Sequence, residues 1–481
     1  MKPLYVTTAI SYPNGEPHIG HAYEAIAADV YARFLRTTQD GLHNGVRLLT
    51  GTDEHGLKMA QTAKAEGLSP KDFADMKVAK FMDMNDMLDV EYDRFIRTTD
   101  SDHYTEAQAL WKKMEANGDL YLGKYSGWYS TRDEAYFDES EIVDGKAPTG
   151  NPVEWLEEES WFFRLSAYTD RIRDLLTNTD FLQPVSARNK VLADLTELRD
   201  ISVSRTSFDW GIPVPDSPGH VMYVWVDALS NYLTGADGAW PADMHIIGKD
   251  IIKFHAVYWP AFLMSAGLEL PKKVFAHGFL LNDGVKMSKS VGNVVDPFEE
   301  IHNIGPEALR YFLMREITFG SDGSYSREAV VSRCNAELSN GIGNLLSRTC
   351  ALIYKRLNGD ITDGGREPDD RQEDADLLKA VFDICNETVP AEFAKLNFSG
   401  GLDRWCEAVT LCDRYINEQK PWAKDIDPSR LKSVLVTLLV ALGPLLTAIE
   451  PIIPGTIARA LDYYNQHPLP GPPPPMFPRL T

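Results

Sequence analysis

Residues Leu4 to Ala9 form an apolar run of strand length, which breaks into a loop rich in Pro and Gly, Tyr12-Pro-Asn-Gly-Glu-Pro17. A helical pattern follows from about Ile19 to Leu35, with Ala22, Ile26, Val30 and Phe34 at near-fourfold spacing, the stripe one buried helix face requires. A second strand candidate, Arg47-Leu-Leu-Thr-Gly51, opens into Thr52-Asp-Glu-His-Gly56. The same texture returns after Tyr223, where His245-Ile-Ile-Gly248 and Val274-Phe-Ala-His-Gly278 are apolar runs that end at Gly. Strand, helix, strand alternation predicts an α/β fold around an open, Rossmann-type parallel sheet.

The stretch between these halves, Gly118 to Pro218, is dense in aromatics and carries the acidic cluster Glu157-Glu-Glu159. It reads as a domain inserted into the sheet. From Arg327 onward strand signals vanish, and segments 328–357, 372–396, 400–418 and 428–449 each read as one helix of a bundle. The predicted organisation is therefore 1–117 and 219–270 for the two halves of the sheet domain and 118–218 for the insert. A loop-bearing region at 271–326, an all-α bundle at 327–465 and a Pro-rich tail at 466–481 complete it. The tail is stiff and extended by composition and is expected to pack along the surface.

A length of 481 residues exceeds one compact core and suits two to four domains. The net charge of -22 argues against a non-specific polyanion binder, since such binding neutralises phosphates with Lys and Arg. A local basic groove on an acidic protein can still hold an RNA. All five cysteines lie at or beyond Cys334, and none forms a C-x-x-C pair; buried reduced thiols are expected. No basic segment followed by an apolar stretch opens the chain. The most apolar run, Val434 to Ile449, is interrupted by Gly443-Pro444 and suits a buried bundle helix better than a membrane span. A cytoplasmic protein without membrane contact is expected.

Two short motifs carry chemistry. Pro17-His-Ile-Gly-His21 sits where the first loop feeds a helix. Unpaired N–H groups and the positive dipole end favour phosphates there. His18 and His21 project from one face of that turn, and Gly20 leaves room for a flat base to approach. A capping turn that merely contains two histidines is the plainer alternative. The second motif, Lys286-Met-Ser-Lys-Ser290, is flanked by Gly284 and Gly292 and reads as a mobile loop. Its lysines, at i and i+3, can reach polyphosphate oxygens as point charges.

Together, His18-Ile-Gly-His21 and Lys286 to Ser290 are the paired signature of class I aminoacyl-tRNA synthetases, which this chain resembles. An insert of about a hundred residues is too short for the large editing domain of the Leu, Ile and Val branches. Ala9-Ile-Ser-Tyr-Pro-Asn-Gly15, Gly51-Thr-Asp-Glu-His-Gly56, Tyr223-Val-Trp-Val-Asp-Ala228 and His245-Ile-Ile-Gly-Lys-Asp-Ile251 resemble the methionyl branch over nearly the whole chain.

The resemblance implies ATP-dependent joining of L-methionine to tRNA(Met) through a methionyl-adenylate, with AMP and pyrophosphate released and ATP used with Mg²⁺. It implies ATP binding by His18, Gly20, His21, Lys286 and Lys289, the four charged or imidazole side chains being catalytic. Ala9, Ile10, Tyr12, Trp225, Ala228, Leu229, Tyr232, Ile251 and His255 would line the methionine pocket, with Asp53 holding the ammonium. A polarisable thioether suits such an aromatic lining. Asn344, Arg348 and Trp422 would read the CAU anticodon, since single-stranded bases are stacked on aromatics and bonded at their edges. Region 271–326 would contact the tRNA stem. No DNA partner is implied.

The sequence departs from the family in two places. Relatives often bind zinc through Cys-x-x-Cys pairs after a Gly-Trp-Tyr word; here Gly127-Trp-Tyr129 is followed by Ser130-Thr-Arg-Asp133. Zinc is therefore expected to be absent, with no metal ligands assigned. The C-terminal dimer-forming domain of some relatives is also missing, so a monomer is expected. Two other readings remain: the same fold charging cysteine, separable by amino-acid-dependent pyrophosphate exchange, and a silent tRNA-binding paralogue, against which both intact motifs speak.

Overall fold

The strand Leu4–Thr8 (β1) is buried at four of its five positions, as befits a parallel strand covered on both faces. The computed structural model describes residues 2–130, 135–137, 139–282, 284–287, 292–361 and 371–481. By internal packing the chain divides into two units, one of Met1–Ala28, Gln39–Asp86 and Val90–His277, the other of Asp29–Thr38, Met87–Asp89 and Gly278–Thr481.

In the first unit β1 is joined by Val46–Thr52 (β2), Arg94–Arg97 (β3), Leu182–Gln183 (β4), Met244–Gly248 (β5) and Val274–His277 (β6). The order is β3-β2-β1-β5-β6-β4, and every pairing is parallel. The progression reverses beside β1, so β1 and β5 flank a topological switch point, where open α/β sheets bind ligands at their carboxyl ends. The fold expectation is met. The two-residue edge strand β4 comes from the segment expected as an insert, and the same segment forms an antiparallel hairpin from Leu120–Ser130 and Glu154–Phe163.

The helix Ile19–Thr37 (α1) follows β1 and buries Ala22, Ile26, Val30 and Phe34. Helix Ser101–Ala116 (α2) buries His103, Ala107, Leu110, Trp111 and Met114. Helix Val224–Thr234 (α3) is buried without interruption from Val226 to Tyr232. Gly235 follows its last turn, where a Cβ would come within 2.4 Å of Leu49, so glycine fits the close approach.

The second unit is helical over most of its described length. Two segments expected as single helices are interrupted. Residues 328–357 form Arg327–Cys334, a wide π turn at Asn335–Gly343 and Asn344–Leu357, with Gly341 at φ -82° and ψ -108°. A Cβ on Gly343 would lie 2.9 Å from the Leu338 carbonyl and 3.1 Å from Phe477, so the glycine permits the close pass of the tail. Residues 372–396 break into Gln372–Asp383, a π turn at Ile384–Thr388 and Val389–Phe393. Pro390 supplies the reason, since it lacks the N–H that an unbroken helix would use.

Pro428–Thr447 continues through Pro444 and is long and apolar enough to cross a membrane, yet 72% of its most apolar window is buried inside the protein. Packing among the other helices accounts for its composition. All five cysteines are free thiols, and burial pushes that of Cys334 up to about 12. The tail is tied at two points: Leu469 N–H donates to the Gly359 carbonyl at 2.9 Å, and Asn335 makes two bonds to the Leu480 backbone, at 2.9 and 2.8 Å.

Candidate active site

At the switch point the chain leaves β1 through Ala9, Ile10 and Tyr12, all partly buried, and enters α1 at His18. The two motif histidines stack, with ring centroids 3.8 Å apart. His18 N–H donates to His21 Nδ1 at 3.1 Å, and Gly20 N–H donates to His18 Nδ1 at 3.1 Å. Both Nδ1 atoms act as acceptors, so each neutral ring carries its proton on Nε2. Gly20 has a role the sequence did not reveal. A Cβ there would stand 2.9 Å from His18 Cε1, so glycine is what lets the ring fold back over the turn. A narrow cavity beside them is lined by Ala9, Ser11, His21, Glu24, Gly51 and Phe81.

Asp53 follows β2 and is 8% exposed; its N–H donates to the Ser11 carbonyl at 2.9 Å. That bond places it against the backbone that leaves β1. Across the switch point, Trp225 lies flat on Phe254, with centroids 3.7 Å apart and planes 7° from parallel. The ring of His255 meets Trp225 edge-on at 6.2 Å. His255 sits in a π turn, Phe254–Tyr258, a feature that often marks functional sites. Its Nδ1 lies 3.0 Å from the Ile251 carbonyl and its Nε2 lies 2.7 Å from Tyr232 Oη. A carbonyl can only accept, so Nδ1 carries the proton and Nε2 accepts from the tyrosine. Burial pushes the His255 pKa down to about 4 and raises that of Tyr232. Both are neutral at physiological pH. Ala9, Ile10, Trp225 and Ile251 pack against the same core as Ala228's neighbours Leu229 and Tyr232, with Ala228 itself 5% exposed.

Several polar residues of this region were not singled out from sequence. Glu54 is fully buried and is held bidentately by Arg97 at 2.7 and 2.8 Å, with the Thr52 and Thr99 hydroxyls each at 2.7 Å. His55 reaches Asp227. Burial works against the Asp227 charge, but the adjoining imidazoles outweigh it and hold the carboxyl below its usual range. Glu24 meets His277 Nε2 at 2.8 Å, and burial raises the Glu24 pKa. Glu54, His55 and Asp227 do fall inside the words that carried the resemblance. The 172 positions between His55 and Asp227 conceal their contact.

Of the second motif, Val285–Lys286 is a short strand paired with Leu280–Asn282. Ser288, Lys289 and Ser290 lie outside the described residues, as do residues 131–134 with Asp133, whereas Ser130, in the other thiolate place, ends the strand Leu120–Ser130 and is buried. In the helical unit, Asn344 opens the helix Asn344–Leu357 and is exposed, and Arg348 is one turn on. The Arg348 guanidinium lies 5.3 Å from the centre of the Trp422 ring, and Trp422 is 44% exposed. The three expected anticodon residues thus share one solvent-facing region.

The sequence profile of the family described as tRNA synthetases class I (M) matches residues 4–153 and 147–350. The chain belongs to this family of class I tRNA synthetases. It is 51% identical over 479 residues to a methionine--tRNA ligase of Rhizobium meliloti, covering 96% of this chain and 91% of that one. It is 48% identical to a methionine--tRNA ligase of Mycobacterium bovis, over 97% of this chain and 93% of the relative. Among solved structures, the Mycobacterium tuberculosis methionyl-tRNA synthetase in complex with methionyl-adenylate superposes with a TM-score of 0.94 at 46% identity, over 100% of both chains.

Proposed function

We infer that this chain is an ATP-dependent ligase that joins L-methionine to tRNA(Met) through a methionyl-adenylate. The observation that carries the reading is the uncharged Trp225–Tyr232–His255 enclosure at the sheet's switch point, with Asp53 held against the strand-leaving backbone. A neutral aromatic wall suits a thioether, and a buried carboxylate suits an ammonium.

In the first step a methionine carboxylate oxygen attacks the α-phosphorus of ATP in line, and pyrophosphate leaves as the P–O bond to it breaks. His18 and His21 present Nε2–H to the phosphates from the start of α1, where the helix end adds positive potential. Lys286 and Lys289, by their place in the family motif, add charge on the leaving phosphates, and Mg²⁺ accompanies ATP as part of the substrate. In the second step the terminal hydroxyl of the tRNA attacks the methionyl carbonyl and AMP departs. Positioning and preorganised charge account for most of the acceleration. Ala9, Ile10, Tyr12, Ala228, Leu229 and Ile251 complete the methionine pocket, and Gly20 admits the nucleotide while holding His18. Asn344, Arg348 and Trp422 read the anticodon.

The donor set does not fit the thiolate zinc knuckle of some relatives, since no cysteine precedes Cys334. No zinc is assigned to the insert. The enzyme is read as a cytoplasmic monomer.

Pyrophosphate exchange with each amino acid, followed by charging of tRNA(Met), tests the assignment. Methionine-dependent exchange is expected; exchange dependent on cysteine instead would overturn it.

A further inference from the structure

Asp227 lies on α3 among the proposed wall residues but is itself only 1% exposed. Its two oxygens are divided between two imidazoles. His55 Nδ1 stands 2.6 Å from Oδ2, and His103 Nε2 stands 2.8 Å from Oδ1. The outer ring nitrogens are engaged as well: His55 Nε2 lies 3.0 Å from Tyr104 Oη, and His103 Nδ1 lies 3.1 Å from Thr234 Oγ1. One carboxylate thus ties together the loop after β2, the first turn of α2 and the helix α3.

The loop is gripped from a second side. Glu54, between Asp53 and His55, is bonded by Arg97 of β3. Trp210 packs edge-on against His55 at 5.3 Å and donates its Nε1–H to the Glu54 carbonyl at 2.7 Å. Asp53 is therefore the residue immediately before two consecutive anchored side chains. An apolar cluster of the same volume would pack this place at least as stably as a buried charge. What it would lack is direction. A carboxylate accepts from both rings at once, so both must present an N–H to it, and their planes are set by that demand. An amide in its place accepts from one ring only and must donate to the other, which must then give up the proton on that nitrogen.

We propose that the His55–Asp227–His103 cluster is a positioning device for methionine recognition. It sets Asp53, at the ammonium, against Trp225, Ala228, Leu229 and Tyr232, at the thioether. The proposal rests on the methionine-site reading above. Asp227, His55 and His103 act through the residues they hold and do not touch substrate.

The test is Asp227→Asn in the full-length chain, with the KM for methionine and for ATP measured by pyrophosphate exchange. Misplacing one wall of a bound substrate by a fraction of an ångström should raise the methionine KM about tenfold or more and change the ATP KM less than about twofold. An equal rise in both, or no change in either, overturns the proposal. Trp225→Ala is measured in parallel. If it too leaves the methionine KM unchanged, the pocket assignment fails and the proposal falls with it. If Trp225→Ala raises the KM and Asp227→Asn does not, only the positioning role fails. Should Asp227→Asn not fold, Tyr104→Phe decides, because it removes only the hydroxyl facing His55. A methionine-specific rise of about threefold supports the device, and an unchanged KM sinks it.

Discussion

Tyr232 Oη and His255 Nε2 lie 2.7 Å apart inside the sheet domain, the hydroxyl donating and the ring accepting because the other ring nitrogen is committed to the Ile251 carbonyl. This pair keeps the apolar pocket free of formal charge, and it has a consequence for pH. With a folded pKa of about 4, against about 6.5 in the unfolded chain, His255 binds fewer protons folded than unfolded throughout that window. Its contribution to stability is full above the unfolded value and is lost as pH falls toward the folded one. Between pH 7 and pH 5 the loss should be about 2 kcal/mol from this residue. Urea unfolding at both pH values checks it, and His255→Gln should lose correspondingly less. Equal losses in parent and variant would mean that the ring is already charged.

Gly20→Ala should slow adenylate formation by about ten- to a hundredfold with little effect on the methionine KM. The added Cβ must displace the His18 ring, which it approaches to 2.9 Å, while alanine itself suits a helix better than glycine. Pre-steady-state exchange measures the step. An unchanged rate would show that the position of His18 does not matter to it.

Lys289→Ala should slow the same step by about a hundred- to a thousandfold, the usual loss for one charge-stabilising donor. Methionine affinity should hardly move, since the lysine acts on the leaving phosphates. Rapid-quench adenylation at saturating methionine distinguishes the two.

Trp422→Ala should keep near-normal pyrophosphate exchange and lose about ten- to a hundredfold in aminoacylation efficiency, since one base–aromatic stack contributes roughly 1–3 kcal/mol. Arg348 is bonded to Asn417 Oδ1 at 3.2 Å while it lies over the indole. Removal of the ring should therefore also weaken discrimination between CAU and altered anticodons. A variant that charges tRNA(Met) as well as its parent would falsify the anticodon assignment.

The purified protein should carry no stoichiometric zinc, and a strong chelator should leave its activity intact. Structural zinc sites usually take four Cys or His ligands, and the Gly127-Trp-Tyr129 word is followed by Ser130 and Asp133 in place of thiolates. Elemental analysis that found about one zinc per chain would show that other ligands have taken over.

Local periodicity and two short words determined the parallel sheet, the helix after β1, the helical second half and the family, because strands and helices bury residues at spacings that read directly along the chain. The first word located His18 and His21, and the resemblance to the methionyl branch pointed to Asp53, Trp225 and His255. Tertiary structure alone decided what those residues face. The glycine at 20 reads as space for a ligand, yet its nearest neighbour is the His18 ring. The breaks at Gly341 and Pro390 interrupt helices whose periodicity runs on across them, since a wide turn preserves the buried stripe while shifting the backbone bonds. Asp227 stands in the word Tyr223-Val-Trp-Val-Asp-Ala228 without any sign of what it faces. Its two imidazole partners come from positions 55 and 103, and no spacing along a chain records which distant side chains folding will bring to one carboxylate.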